Sequence, residues 1–297
     1  MQLREKLSKL TTALSEGLIE RDTEIKLAVL GLLAQENVLL VGPPGTAKSE
    51  ISRRLSMVIK DGSYFEYLLT KFTTPEEVFG PLSISKLKND EYSRNTQGYM
   101  PTSNVVFLDE VFKANSAILN SLLTIMNERT YHNGIVKDQT PLLSMIAASN
   151  ELPIGKNELE ALYDRFLLKK FVSHVSEHNL SKLINFKAKP FSIPDELMLT
   201  KEEINSISTL SQDVTIPTDI ENTIINIKKE YESQFSENTD EVLSDRKLVK
   251  SIKLMKVSAY TNGRSSLDIS DVTLFRHILW CNDQNIQKIN NIINNTI

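Results

Sequence analysis

The chain has 297 residues and a formal net charge of −4, and 40% of its residues are hydrophobic and 24% charged. This composition is ordinary for a globular protein and excludes a wholly disordered or fibrous chain. The length predicts about two domains, and the slight acidic excess argues against a dedicated binder of the nucleic-acid backbone. The single cysteine, Cys281, excludes an intramolecular disulfide and a four-cysteine zinc site, which favours a reducing compartment.

The sequence predicts no membrane insertion. The most apolar stretch, residues 27–33, is followed almost at once by polar residues and is too short to span a bilayer. The first ten residues lack the uninterrupted apolar segment of a secretory signal. The predicted location is therefore the cytoplasm.

Short apolar runs alternate with helical patterns up to about residue 175. Residues 1–34 carry leucines at helical spacing and predict helix. The amphipathic pattern around Ile118 predicts another helix, with Asn115 or Ser116 as its N-cap. This alternation predicts βαβ units and a mostly parallel sheet. Strands are predicted at 38–41, 65–69, 105–108, 142–148 and 167–175, and further helices at 48–59 and 159–166.

Two stretches interrupt this alternation, and the pattern then changes to helices alone. Residues 82–101 and 130–141 are polar and punctuated by glycine, which predicts two inserted β-hairpins. Beyond residue 176 the pattern favours helices, so we predict an α/β core over 1–190 and an all-helical region over 191–297. For the asparagine-rich tail from residue 282, a helix and disorder both remain open. The helices of this region are predicted at 201–211, 218–235 and 242–260.

A glycine-rich segment after the first strand opens a helix, which is the context of a phosphate-binding loop. Lys48 would reach the β- and γ-phosphates and Ser49 would ligate Mg²⁺. Ala47 stands where the motif GxxxxGK[ST] has glycine, and alanine is acceptable there if the backbone is right-handed. Because backbone N–H groups and the helix N-terminus would surround a triphosphate, we assign these residues to ATP binding: Gly42, Pro43, Pro44, Gly45, Thr46, Ala47, Lys48, Ser49 and Glu50.

An acidic pair ends the third predicted strand, in the arrangement of a Walker B motif. Asp109 would hold Mg²⁺ directly or through water, and Glu110 would act as general base for the attacking water. Two acids at a strand end are common by chance, so the Walker B assignment depends on the phosphate-binding loop earlier in the chain.

Taken together, the motifs GPPGTAKS, VVFLDEVFKA, AASNELP and LYDRF resemble those of MoxR-family AAA+ ATPases. The stretches FEYLLTKFTTPEEVFGPLSI, LNSLLTIMNER and SDRK are similar to the RavA branch of that family. The resemblance runs from about residue 20 to 280 and covers the AAA+ module only, since RavA-like proteins extend beyond it. It implies an α/β fold, namely a P-loop αβα sandwich with a parallel five-stranded sheet, β-hairpin inserts and an all-α lid subdomain.

The resemblance also implies roles for three further residues. Asn150, after the fourth strand, resembles the sensor 1 residue that positions the attacking water. Arg165 resembles an arginine finger, which acts on the nucleotide of the neighbouring subunit. Arg246 resembles the sensor 2 arginine of the lid. The inserts 82–101 and 130–141 lie where family members carry hairpins.

The resulting hypothesis is a Mg²⁺-dependent ATPase that forms a homo-oligomeric ring, a hexamer by analogy with the family, and remodels a protein partner like a chaperone. MoxR-family members commonly pair with von Willebrand factor A-domain proteins, so such a protein is the expected partner. An alternative stays open, in which nucleotide binding switches a scaffold for a protein partner with little turnover.

Overall fold

A sheet of parallel strands organises the chain in the computed structural model, which describes residues 2–153, 157–187, 190–236 and 243–297. The strands are β1 Val38–Val41, β2 Tyr64–Leu68, β3 Val105–Asp109, β4 Thr130–Asn133, β5 Val136–Gln139, β6 Ser144–Ser149 and β7 Leu168–Phe171. Five of them form one parallel sheet in the order β2-β3-β6-β1-β7, and β4 and β5 form an antiparallel hairpin. The central strands consist almost wholly of buried residues because helices cover both faces of the sheet.

Helices make up most of the remaining described structure. The α-helices are α1 Leu3–Ser15, α2 Asp22–Ala34, α3 Lys48–Ser56, α4 Pro75–Phe79, α5 Ile84–Leu87, α6 Ser116–Glu128, α7 Asn157–Tyr163, α8 Leu180–Ile184, α9 Lys201–Leu210, α10 Thr218–Gln234, α11 Asp245–Thr261, α12 Ile269–Val272 and α13 Ile286–Thr296. Short 3-10 helices lie at Met100–Thr102, Val111–Lys113, Glu177–Asn179, Asp195–Leu197, Ser211–Asp213, Thr273–His277 and Asp283–Asn285. Within the described ranges, no helix has both the length and the apolar character that crossing a bilayer requires.

The parallel register gives the sheet two chemically different edges. Val41, the last residue of β1, pairs with Ser149, the last of β6, and Asp109 ends β3 next to β6. We call this side, where β1, β3 and β6 end, the carboxyl edge. At the opposite side, the amino edge, Asn37 precedes β1 and its amide donates to the carbonyl of Arg165 before β7. Residues that follow strands and residues that precede them are therefore separated by the full length of the sheet.

The predicted α/β core with a parallel five-stranded sheet is confirmed, with shifts at the element ends. The predicted strand at 167–175 is shorter and ends at Phe171, and the helix predicted at 48–59 ends at Ser56. Asn115, one of two predicted caps, accepts from the backbone N–H of Ile118 at the start of α6. The tail from residue 282, for which helix and disorder were both open, contains α13.

The prediction of one helix over residues 1–34 was wrong, because the chain breaks between α1 and α2. Gly17 has φ +75° and Glu20 has φ +59°, both outside the right-handed helical region. Leucine spacing on either side of the break is helical, so periodicity alone does not reveal it. Residue 1, residue 242 of a later predicted helix and residues 188–189 beside the predicted domain boundary lie outside the described residues.

The two predicted hairpin inserts differ in outcome. Residues 130–141 contain the β4–β5 hairpin, so that prediction is confirmed. Residues 82–101 contain α5 and a single isolated antiparallel bridge between Leu82 and Arg94, so they form a closed loop rather than two strands. The two inserts contact each other, because the Asn133 side chain bonds both the N–H and the carbonyl of Arg94.

The helical C-terminal part packs on the core through α2. Both α9 and α11 contact α2, and the Lys250 ammonium of α11 donates to the Glu36 carboxylate at 2.6 Å. Glu36 itself is 5% exposed, just before β1 at the amino edge. The Lys169 ammonium of β7 lies 5.5 Å from the ring of Trp280, which is also buried. These contacts fix the helical part beside the amino edge. Its boundary with the core near residue 190 stays a prediction.

We expect Glu36→Gln to weaken the attachment of the helical part, because it leaves the partly buried Lys250 ammonium without its counter-charge. The free energy of unfolding should fall by about 1–3 kcal/mol. Urea unfolding followed by the fluorescence of Trp280, the only tryptophan in the sequence, measures it. Glu232→Gln, which breaks the exposed pair with Lys228, is the matched control and should cost less than about 0.5 kcal/mol. Equal losses in the two variants would contradict this assignment.

Candidate functional site

The glycine-rich segment forms a loop between β1 and α3 at the carboxyl edge. Gly42 lies so close to the end of β7 that an added Cβ would stand 2.1 Å from the Val172 carbonyl oxygen, and only glycine fits there. Gly45 has φ +76°, and nothing lies within 4 Å of an added Cβ. Glycine is therefore required here for its backbone conformation and not because a side chain would clash. The loop therefore wraps an open concavity ahead of the N-terminus of α3, as phosphate-binding loops do.

The backbone at Ala47 does not meet the condition under which the sequence makes alanine acceptable there. Its backbone has φ +66° and ψ +23°, in the left-handed region, as the N-cap of α3. This conformation costs a residue with a Cβ about 1–2 kcal/mol relative to glycine. The sequence alone does not reveal the sign of φ at this position. The loop instead carries local strain, which the surrounding contacts must offset.

Lys48 is buried in the loop and connects it to the next strand. Its ammonium donates to the carbonyls of Gly42 and Pro43 at 2.8 Å each, and lies 3.4 Å from Oδ1 of Asn150. Burial lowers the pKa of Lys48, and the nearby carboxylates of Asp109 and Glu110 oppose this. The side chain is thus held over the concavity, as a phosphate-binding lysine requires.

The acidic pair meets Asn150 at the same edge. The Asn150 amide donates to Oε1 of Glu110 at 2.5 Å, while the Lys113 ammonium lies 3.5 Å from Oε2. Glu110 has φ +53°, and its N–H donates to the carboxylate of Asp109 at 3.0 Å. Lys48, Asn150 and Glu110 therefore form one continuous chain of polar contacts. Sequence reasoning did not single out Lys113, although its spacing of three residues from Glu110 is a signal for an ion pair.

The oxygen donors at this edge fit Mg²⁺ bound together with phosphates. Ser49 lies in the first turn of α3, and Asp109 ends β3. Among the residues that the structure describes, no group of three or more His, Cys, Asp or Glu side chains could hold a metal ion. Mg²⁺ usually takes one or two protein oxygens and completes its shell with phosphates and water. A hydroxyl and a carboxylate beside a phosphate loop match that preference.

A cavity of about 450 Å³ lies beside the loop. Its walls come from the α1–α2 break, the loop itself and the segment around α8, and its lining is more apolar than polar. It fits the base and sugar of a nucleotide whose phosphates lie in the loop. Sequence reasoning missed it because its lining comes from three separate segments: Gly17, Leu18, Ile19, Arg21, Gly45, Thr46, Ala47, Glu50, Arg54, Val175, Leu183 and Phe186.

The structure does not bring Arg165 and Arg246 to this edge. Arg165 precedes β7 at the amino edge, where its carbonyl accepts from the side chain of Asn37. Asn37 and Gly42 of the loop are five positions apart along extended chain, which is a span of about 17 Å. Arg165 and Arg246 line one small cavity there, together with Lys247. The Arg246 guanidinium donates to the side chain of Asn127 at the end of α6 at 2.6 Å. The two arginines thus share a position that the sequence did not reveal.

Positive charge is concentrated around these two arginines. Burial, together with the nearby Arg246, lowers the pKa of Arg165, while a hydrogen bond to Asp164 opposes the shift. The Nε atom of Arg165 is buried without a hydrogen-bond partner among the described residues. With Lys247 and Lys250, four cationic side chains line the same cavity. Asp164 and Glu36 each pair with one of these cations, which leaves an excess of positive charge that is suited to a further anionic group.

Fold and site together define a P-loop nucleotide-binding protein with a helical lid. A family model described as the MoxR domain of MoxR–vWA–β-propeller ternary systems matches residues 5–212. A second model, an AAA lid domain, matches residues 219–293. The first match covers more than half of the chain, and the chain therefore belongs to the MoxR family of AAA+ ATPases.

Individual relatives agree with this family. Two uncharacterized proteins of Methanocaldococcus jannaschii are 43% and 44% identical to the chain, over 98% and 95% of its length and 74% of each relative. The chaperone MoxR1 of Mycobacterium tuberculosis is 26% identical over 56% of the chain and 44% of its own length. A crystal structure of a candidate ATPase from Cytophaga hutchinsonii has a TM-score of 0.75 at 18% identity, covering 99% of this chain and 94% of that one. It shows the shared fold.

We expect Ala47→Gly to stabilise the chain, because glycine adopts the left-handed conformation without the cost that the Cβ imposes. Relief of strain exceeds the entropic cost of the added glycine, so the free energy of unfolding should rise by about 0.5–1 kcal/mol. Urea unfolding without nucleotide measures the change.

The matched control is Ala13→Gly, the same substitution in the right-handed helix α1. It should lower the free energy of unfolding by about 1 kcal/mol. If Ala47→Gly destabilises the chain as much as Ala13→Gly does, Ala47 is not left-handed and the strain assigned to the loop is absent.

Proposed function

We propose that this chain is a Mg²⁺-dependent ATPase that works as a ring, a hexamer by family analogy, and remodels a protein partner. The observation that carries the proposal is the placement of the polar side chains at two edges of one sheet. Lys48, Asn150 and Glu110 meet at the carboxyl edge, while Arg165 and Arg246 lie at the amino edge. Residues 1–190 would form the nucleotide-binding core and residues 191–297 the lid.

The loop binds the triphosphate of ATP. Its backbone N–H groups and the N-terminus of α3 face the phosphates, and Lys48 moves its ammonium from the loop carbonyls to the β- and γ-phosphates. Ser49 and Asp109 would hold Mg²⁺, Asp109 directly or through water. The ion would supply positive charge that offsets the negative charge developing on the phosphates during hydrolysis. Burial that lowers the pKa of Lys48 favours exchange of its present carbonyl partners for a charged phosphate.

Glu110 removes a proton from the water that attacks the γ-phosphate. Its carboxylate is held from both sides, by the amide of Asn150 and the ammonium of Lys113. Asn150 accepts from the Lys48 ammonium and donates to the Glu110 carboxylate, so it orients the base relative to the phosphate-binding lysine. A base positioned in this way contributes about 10²–10⁴-fold to such a step.

Arg165 and Arg246 act on the nucleotide of a neighbouring subunit. A span of about 17 Å along β1 keeps Arg165 from the phosphate loop of its own chain. A ring that places the amino edge of one subunit against the carboxyl edge of the next would complete the site. The γ-phosphate would then lie against the two arginines, and an arginine finger of this kind contributes about 10³–10⁵-fold.

The partner proposed for this motor is a protein. The matched family model names von Willebrand factor A and β-propeller proteins alongside the MoxR domain, and the mycobacterial relative is named a chaperone. We extend both to this chain as a proposal, together with membership of the RavA branch and a cytoplasmic location. The inserts at 82–101 and 130–141, which contact each other, are candidates for contact with the partner.

Mixing two inactive variants tests whether the site is shared. Arg165→Ala should lower ATPase activity by at least about 10³-fold, and Glu110→Gln by at least about 10²-fold. In rings mixed at equal amounts, about a quarter of the interfaces combine an intact Glu110 with an intact neighbouring Arg165, so up to that fraction of activity should return. Phosphate release measures the rate, and native mass spectrometry verifies mixing.

Arg4→Ala serves as the control, because this exposed arginine of α1 lies away from both sets of side chains and should leave the rate unchanged. Mixed rings that recover no activity would contradict the shared site. A wild-type rate no better than background, with tight ATP binding, would instead support the alternative of a nucleotide-dependent scaffold.

A further inference from the structure

Arg21, at the start of α2, is a buried arginine whose partners are all carbonyl oxygens. Its Nε donates to the Thr46 carbonyl at 3.1 Å, and its two terminal nitrogens donate to the carbonyls of Ser173 and Glu20 at 2.6 Å each. The side chain is 5% exposed. The guanidinium therefore joins three segments, namely the α1–α2 break, the phosphate loop and the chain just after β7.

The bond to Thr46 determines where one N–H of the loop points. A trans peptide group is planar, so the N–H of Ala47 points away from the carbonyl of Thr46. Arg21 holds this carbonyl towards itself, and both residues line the cavity. The N–H of Ala47 therefore points away from Arg21, and the proposed nucleotide site places a phosphate on that side of the peptide. One of the donors for a phosphate oxygen thus depends on Arg21.

This orientation opposes the local preference of the backbone. Turning the 46–47 peptide over would take φ of Ala47 from +66° to a negative value, which any residue with a Cβ prefers. It would also remove the N–H from the concavity. In a loop with glycine at this position the preference would be absent, because glycine adopts both signs of φ. Ala47 therefore makes the loop depend on an outside contact.

We propose that Arg21 is a positioning residue that holds the Thr46–Ala47 peptide in its phosphate-binding orientation against the strain at Ala47. This role rests on the proposed nucleotide site. Arg21 would act on that site through the loop, without contact to the phosphates or to the attacking water. The same guanidinium bonds the Ser173 carbonyl, so the loop and the segment leading to α8 keep a fixed spacing. Leu183 and Phe186, which line the cavity, follow on that segment.

Nucleotide affinity in a double-mutant cycle tests this role. Fluorescence titration of the full chain with mant-ATP and Mg²⁺ gives the dissociation constants. Arg21→Met should weaken binding by about tenfold, the order expected for a lost charged hydrogen bond. In the Ala47→Gly background the same change should cost at most about threefold, because the peptide no longer gains by turning over.

Two controls separate orientation from charge and from general damage. Arg21→Lys keeps the charge but not the planar fork, so it should bind mant-ATP nearly as weakly as Arg21→Met. Arg53→Met removes an exposed arginine of α3 that pairs with Glu66 and makes no bond to the loop, and it should bind like wild type. Wild-type affinity in Arg21→Lys, or an equal loss with Ala47 and with glycine at position 47, would overturn the proposal.

The orientation of the Thr46–Ala47 peptide can be observed without nucleotide, so it tests the role of Arg21 separately from the proposed ATPase function. A crystal structure of Arg21→Met without nucleotide should show the Thr46 carbonyl turned into the concavity, and a retained native orientation would overturn the proposal. If Arg21→Met does not fold, Arg21→Lys serves in the same experiment. Wild-type protein that binds no mant-ATP would refute the proposed function, while the peptide orientation would still decide the role of Arg21.

Discussion

Parallel pairing of short apolar strands is the constraint on which the rest of the molecule depends. Because β1, β3 and β6 run in the same direction in close register, the residues that follow them converge at one edge. The phosphate loop, Asp109 with Glu110, and Asn150 come from distant parts of the chain and meet there for this reason alone. The same constraint sends Arg165, which precedes a strand, to the other edge. In the proposed function, Arg165 therefore acts on the nucleotide of a second copy.

The loop itself combines a strained backbone with charges held by neutral partners. Ala47 has a left-handed backbone conformation although it carries a Cβ, and the Lys48 ammonium donates to carbonyls of the loop. Arg21 likewise donates only to carbonyls. The Lys48 ammonium can therefore bind an anion by exchanging neutral carbonyl partners rather than a bound carboxylate. The contacts around it, rather than the motif alone, hold the donors in place.

Periodicity and motif spacing predicted most of the sheet and the residues at the carboxyl edge. Strands and loop are local patterns, and parallel pairing then brings Lys48, Glu110 and Asn150 together. The break at Gly17 and the closed loop at 82–101 were mispredicted, because both depend on local backbone angles that spacing does not report. Arg21 and the cavity were missed for another reason, since their partners lie on segments far apart in the sequence. The position of Arg246 beside Arg165 likewise follows from how α11 packs on α2.

In the proposed ring, each site combines the carboxyl edge of one subunit with the amino edge of the next. A cryo-electron microscopy structure of the Glu110→Gln chain with ATP and Mg²⁺ tests this arrangement directly. We expect a ring in which the guanidinium groups of Arg165 and Arg246 lie within hydrogen-bond distance of the γ-phosphate bound by the adjacent subunit. A ring in which both arginines face solvent, or contact only their own chain while ATP is bound, would contradict it.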